Sequence, residues 1–195
     1  MNAIRSFIAV ELPVNIHQKL DEIIASLKGP HTSAVRWVPA DNIHLTIKFL
    51  GDVSPANMDL LMKMLKAEVS LQHSFTIKVS GVGAFPSPHR PRVLWVGIIA
   101  PPQLGSLVRL VEAETTKLGY APEERPLSPH LTLGRVSQNA TPDQVHLVAE
   151  ALAGVKVGDL GVAEVREVAL FKSDLRPSGA EYTPLLKVPL LKAIS

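Results

Sequence analysis

Two short segments carry the residues best suited to chemistry. Ile43-His44-Leu45-Thr46-Ile47 and Pro129-His130-Leu131-Thr132-Leu133 share a His-Leu-Thr-apolar core and lie 86 residues apart (130 − 44). On a strand, side chains two apart point to the same face. His44, Thr46 and Lys48 are therefore expected to project together, while Ile43, Leu45, Ile47 and Phe49 turn into a core. His130 and Thr132 share a face opposite Leu131 and Leu133 by the same parity. If a pseudo-two-fold axis joins the two polar faces, two imidazoles and two hydroxyls converge on one cleft. That set suits a phosphodiester. One neutral imidazole takes a proton from attacking water, and the other, as imidazolium, protonates the leaving oxygen. Threonine hydroxyls donate to the non-bridging oxygens. Histidines near their ordinary pKa supply both acid and base at neutral pH, so the scheme calls for no metal and no cofactor.

Other chemistries fit less well. Cysteine is absent, which excludes disulfide frameworks, thiolate metal sites and a cysteine nucleophile. A metal hydrolase using His44 and His130 as ligands lacks His-any-His or His-Glu-any-any-His spacing, and neither motif contains an acidic residue. No Gly-any-Ser-any-Gly elbow suggests a serine hydrolase. A non-catalytic module binding RNA ends would keep the same cleft, and turnover separates it from an enzyme. A looser match, His31-Thr32-Ser33, sits in a Gly-Pro-rich turn without apolar alternation and reads as a surface loop. His17, His73 and His146 have no neighbouring motif and read as surface residues. Arg90 and Arg92 read as surface charge, available to a rim facing a phosphate chain. Among Trp37, Phe85 and Trp95, which could stack a base, Trp95 fits core packing better because its run is mostly apolar.

Positioning these groups requires a folded scaffold. The 195 residues are 46% hydrophobic with a net charge of only +2, enough for a real core and no argument by itself for nucleic acid. Phe7 to Val10 reads as a buried strand, and the run ends at Glu11, too short for a secretory signal. No run approaches membrane-spanning length, so a soluble cytoplasmic protein is expected. After Pro13, Ile16, Leu20, Ile23, Ile24 and Leu27 recur at helical spacing. Val35 to Val38 and Ile43 to Leu50 read as strands joined by a hairpin at Pro39 to Asn42. Ser54-Pro55 caps a helix, followed by a strand from Phe75 to Val82. The second half repeats the theme with a strand Arg92 to Ile99, a helix Pro101 to Leu118 and a strand Pro129 to Val136. Thr141-Pro142-Asp143-Gln144 then forms a capping box. Strands Gly161 to Phe171 and Glu181 to Leu190 flank a turn at Ser173 to Gly179. This mixture indicates an α+β fold with antiparallel sheets, built from two copies of one unit.

The paired motifs resemble those of the two-H phosphoesterase superfamily, and within it the RNA 2′,3′-cyclic phosphodiesterases, also known as 2′-5′ RNA ligases. The resemblance runs through Arg5-Ser6-Phe7-Ile8-Ala9-Val10, His44 to Gly51, Gly83-Ala84-Phe85-Pro86, Arg92 to Gly97, Pro129 to Arg135, Phe171-Lys172-Ser173 and Gly179-Ala180-Glu181-Tyr182. It implies a single bilobal domain over 1–195, two pseudo-symmetric lobes each with an antiparallel sheet and outer helices around a central cleft. His44 would be the proton donor and His130 the acceptor. Thr46, Thr132, Arg135 and Lys48 are the expected substrate contacts. Strand parity places Arg135 on the wrong face unless the strand ends or bulges at Gly134. The implied partner is RNA with a 2′,3′-cyclic phosphate end, tRNA fragments being one example, acted on by a monomer to leave a 2′-phosphate. Ligation of such an end to a 5′-hydroxyl uses the same groups and is the alternative.

Overall fold

The computed structural model describes residues 3–176 and 179–193. Its elements in chain order are β1 (Ile4–Val10), α1 (Val14–Leu27), β2 (Val35–Trp37), β3 (Leu45–Val53), α2 (Pro55–Glu68), β4 (Phe75–Phe85), β5 (Val93–Ile99), α3 (Pro102–Lys117), β6 (His130–Val136), α4 (Pro142–Gly154), β7 (Asp159–Val165), β8 (Glu167–Arg176) and β9 (Gly179–Pro189). Two of the helices start as their cap residues dictate. The Ser54 side chain accepts from the Asn57 amide ahead of Pro55, and Thr141 and Gln144 satisfy each other's amides ahead of Pro142.

The strands form two antiparallel sheets, ordered β3-β1-β8-β9 and β2-β6-β5-β4-β7. Without the extra edge strand β2, the second order β6-β5-β4-β7 maps onto the first strand for strand. This is the repeat implied by the two His-Leu-Thr segments, which occupy the corresponding strands β3 and β6. The helices are exchanged between the halves. Helix α1 follows β1 of the first sheet but packs against β7 of the second, where Lys19 Nζ donates to the Leu160 carbonyl at 2.7 Å. Helix α3 follows β5 of the second sheet and packs against β3 of the first. One apolar cluster consequently runs through both halves, from Ile8, Leu20 and Leu45 to Leu94, Val111 and Leu131. On the opposite face of β1 and β8, Phe7, Ala9, Ala169 and Phe171 form a smaller cluster, with Tyr182 packed against it.

Three expectations are corrected. Pro39 to Asn42 makes no hairpin: Ala40–Asn42 is a 3-10 turn that carries the chain from one sheet to the other, with β2 paired to β6 and β3 to β1. Gly161 to Phe171 is two strands. It breaks at Arg166, where β7 of the second sheet gives way to β8 of the first. Ser173 to Arg176, expected in a turn, belongs to β8, since β8 and β9 stay paired as far as Arg176 and Gly179. Positions 177–178 of that turn lie outside the described residues. Among the described residues, no helix is long and apolar enough to cross a membrane.

Candidate active site

Strands β3 and β6 approach each other across the boundary between the two sheets. His44 immediately precedes β3 and His130 opens β6. Both are half-buried, and both make the same local hydrogen bond. His44 Nδ1 is 2.8 Å from the Asn42 carbonyl, and His130 Nδ1 is 2.7 Å from the Ser128 carbonyl. A carbonyl only accepts, so each Nδ1 carries a proton and each Nε2 is left to act as base when neutral or acid when charged. Asn42 is itself anchored, its side-chain amide donating to the Ala180 carbonyl of β9 at 2.9 Å. Thr46 and Thr132 are half-buried, and neither hydroxyl has a protein partner among the described residues.

A matched pair of bulges decides what else reaches the cleft. Across from β1, the register passes from Ala9 opposite Thr46 to Ile8 opposite Lys48, leaving Ile47 unpaired. Across from β5, it passes from Trp95 opposite Thr132 to Leu94 opposite Gly134, leaving Leu133 unpaired. Each bulge falls three residues after its histidine and reverses the parity beyond it. Arg135 is thereby returned to the face of His130 and is exposed, whereas Gly134 turns inward. A Cβ on Gly134 would meet Val35 at 2.8 Å and Trp37 at 3.1 Å. The other bulge removes Lys48 from the His44 face. Lys48 is 6% exposed, and its Nζ donates to Glu112 at 2.7 Å and to the Ala121 carbonyl at 2.6 Å. It is therefore not positioned as a substrate contact. Phe49, expected in the core, is 62% exposed and sits beside Phe7 with ring centroids 6.1 Å apart.

The walls are aromatic. Phe7 stacks on His44 at 4.6 Å, and Tyr182 meets the same imidazole edge-on at 5.2 Å. Phe85 meets His130 edge-on at 4.9 Å. Trp95, expected to pack in the core, is half-buried outside the main cluster. It lies opposite Thr132 and against Gly83, where any Cβ would come within 2.4 Å of its ring. Burial holds the His44 pKa below its ordinary value, offset in part by the Asn42 carbonyl and the negative charge of Glu11. Burial also raises the Tyr182 hydroxyl, against the positive charges of Arg135, Arg5 and Arg36. Phe7, Tyr182, Arg5 and Arg36 are site features that sequence reasoning did not single out. Only the position of Arg5 and Phe7 on one strand face, two residues apart, would have pointed to part of this set.

A groove of about 870 Å³ opens beside His44, lined by Glu11, His17, Asp41, Glu164 and Tyr182 among others, and does not reach His130. His17, expected at the surface, is half-buried there with Nδ1 2.7 Å from the Ala40 carbonyl. Arg92 donates to the Ser137 carbonyl at 3.1 Å, while Arg90 is exposed. No group of three or more His, Asp or Glu side chains is placed to hold a metal among the described residues.

Two antiparallel sheets that each bring a His-Leu-Thr strand to a common boundary, with both Nε2 atoms available, define a duplicated two-histidine phosphoesterase scaffold. The family model for LigT-like phosphoesterases matches the chain twice, over residues 10–95 and 97–182, one match per repeat. The chain belongs to the LigT-like phosphoesterase family. RNA 2′,3′-cyclic phosphodiesterase from Methanothermobacter thermautotrophicus is 33% identical over 93% of this chain and 96% of the relative. The protein of that name from Archaeoglobus fulgidus is 35% identical over 93% and 97%. Escherichia coli LigT, solved in complex with 3′-AMP, superposes with a TM-score of 0.77 at 29% identity, covering 96% of this chain and 98% of that one.

Proposed function

We propose that this chain hydrolyses RNA 2′,3′-cyclic phosphate ends to 2′-phosphomonoesters by metal-independent acid–base catalysis, with His44 as proton donor and His130 as acceptor. The observation that carries this reading is the matched Nδ1 hydrogen bond in each repeat, which commits both imidazoles to the same tautomer and leaves both Nε2 atoms free. Neutral His130 takes the proton of a water as its oxygen bonds to phosphorus. Protonated His44 delivers its Nε2 proton to O3′ as the P–O3′ bond breaks, and the phosphate remains on O2′. Thr46 and Thr132, whose hydroxyls have no protein partner, donate to the non-bridging oxygens, and Arg135 offsets their charge. The names of the relatives supply the substrate class, and tRNA fragments with cyclic ends fit it. One continuous core joins the two repeats, so the chain acts as a single bilobal unit. Both histidines come from one chain, which fits a monomer, and a cytoplasmic RNA-processing enzyme is the setting proposed.

Incubation with a short RNA ending in a 2′,3′-cyclic phosphate tests the reading directly. Phosphorus NMR should show the cyclic signal replaced by that of a 2′-phosphomonoester. A 3′-phosphate product would reverse the donor and acceptor roles, and absence of turnover would defeat the assignment.

A further inference from the structure

Three arginines gather at one end of the cleft. Arg36 of β2 stands directly opposite Arg135 of β6, and because Val35 and Trp37 cover the inner side of Gly134, both guanidinium-bearing side chains belong to the other, cleft-facing side. Arg5 lies two residues before Phe7 on β1 and shares its face. Tyr182 meets Phe7 edge-on at 5.0 Å, beside the Arg5 face of β1, and its hydroxyl feels the positive charge of all three arginines, which come from both sheets. All three are exposed, and none forms an ion pair among the described residues. Asp52 stands across the strand from Arg5 but does not bridge to it.

Like charges collected without counterions repel one another, which is unfavourable unless an anion occupies the space between them. The groove beside His44 has a different character. Its carboxylates Glu11, Asp41, Glu164 and Glu167 outnumber the one arginine, Arg166, which makes it a poor path for a phosphate chain. We propose that Arg5 and Arg36, together with Arg135, form a binding tract for the phosphates of the nucleotides that precede the cyclic end, so that the RNA chain leaves the cleft on the arginine side. This rests on the hydrolytic reading above and deepens it: the substrate is an oligonucleotide end, and a cyclic mononucleotide fills only part of the site.

The test compares kcat/KM on cytidine 2′,3′-cyclic monophosphate with kcat/KM on a pentanucleotide ending in the same cyclic residue, for the wild-type protein and for Arg5→Gln and Arg36→Gln. Wild type should favour the pentanucleotide. Each substitution should lower the pentanucleotide value roughly 5- to 10-fold at low salt and reduce the slope of log affinity against log salt by about 0.7, as one phosphate contact on a single strand requires. The mononucleotide value should change much less. Equal losses on both substrates, or no loss on either, overturn the tract. Arg36→Gln lies on an edge strand and keeps the test decisive if Arg5→Gln perturbs folding. Turnover of both substrates without a length preference overturns the tract alone, whereas turnover of neither by the wild-type protein removes the hydrolytic reading with it.

Discussion

Phe7 lies nearly flat against the His44 imidazole, with ring centroids 4.6 Å apart and planes 22° from parallel. The contact shields one face of the ring from water, and desolvation is the main reason its pKa is lowered. Replacing Phe7 with Leu removes the stacked face and admits water, so the His44 pKa should rise toward its ordinary value. We expect turnover to fall roughly 3- to 10-fold, in proportion to the loss of a fixed ring orientation. Proton NMR titration of His44 checks the direction, and an unchanged or lower pKa would refute the shielding role.

His44→Ala and His130→Ala should each lower turnover by roughly 10²-fold or more, the effect of losing a general acid or base. Thr46→Ala and Thr132→Ala should cost on the order of 10- to 10³-fold, since each removes one donor to the developing charge. Thermal melts should stay close to wild type for all four, because these side chains are half-buried on the cleft face and outside the core. Near-wild-type turnover in either histidine variant ends the paired mechanism.

Lys48 is valuable for the scaffold. Its ammonium bonds to Glu112, and the same carboxylate oxygen accepts from the Glu123 amide at 3.3 Å, tying β3 to the segment that leads into His130. Lys48→Met leaves the Ala121 carbonyl without its side-chain donor and Glu112 without its charged partner, with only the Glu123 amide still donating to that carboxylate. The expected loss is about 3 kcal/mol, in the range for cutting one partner from a buried pair. Lys48→Met with Glu112→Met should recover part of it, because a matched apolar pair no longer strands a charge. Urea unfolding measures both, and a double variant no more stable than the single one contradicts this account.

How much of this was legible beforehand follows from what each signal encodes. The two His-Leu-Thr segments stood out because period-two alternation and an internal repeat are properties of the sequence itself. The capped starts of α2 and α4 were visible for the same reason, since Ser54-Pro55 and Thr141-Pro142 act locally. The bulges at Ile47 and Leu133 were not visible as such, because an extra apolar residue in an apolar run leaves the alternation looking intact. Gly134 hinted at one of them. Nothing similar marks the other, so strand parity alone puts Lys48 on the wrong face. Pro39 to Asn42 announces a turn without saying which sheet receives the next strand. The convergence of Arg5, Arg36 and Arg135 depends on pairings between distant strands, which no local pattern records.

Turnover should be independent of divalent metals. Two imidazoles, two threonine hydroxyls and Arg135 cover the acid, the base and the phosphate contacts, leaving no step that needs a Lewis acid. Exhaustive dialysis against a chelator should leave kcat and KM unchanged. Activity lost on dialysis and restored only by a divalent ion would favour a metal-bound water as nucleophile instead.

The pH dependence of kcat should differ from that of kcat/KM, and the sign follows from the environment of His44. The donor must be protonated to act, while burial in the free protein favours its neutral form. The profile of kcat/KM reports the free enzyme and should therefore lose activity early as pH rises. A bound cyclic phosphate carries a negative charge that stabilises the imidazolium, moving the pKa back up in the complex. Both profiles should be bells, since one histidine must be charged and the other neutral, and their limbs describe the coupled pair. The kcat optimum should lie at higher pH than the kcat/KM optimum. The same shift acts on stability: above the unfolded pKa both states hold a neutral His44 and nothing is lost. As pH falls through that value the unfolded chain takes up the proton first, so the folded state loses stability until the folded pKa is passed. His44→Gln should remove that acid-side loss in urea titrations. Coincident optima, or a kcat optimum displaced toward acid, would show that His44 is not the proton donor.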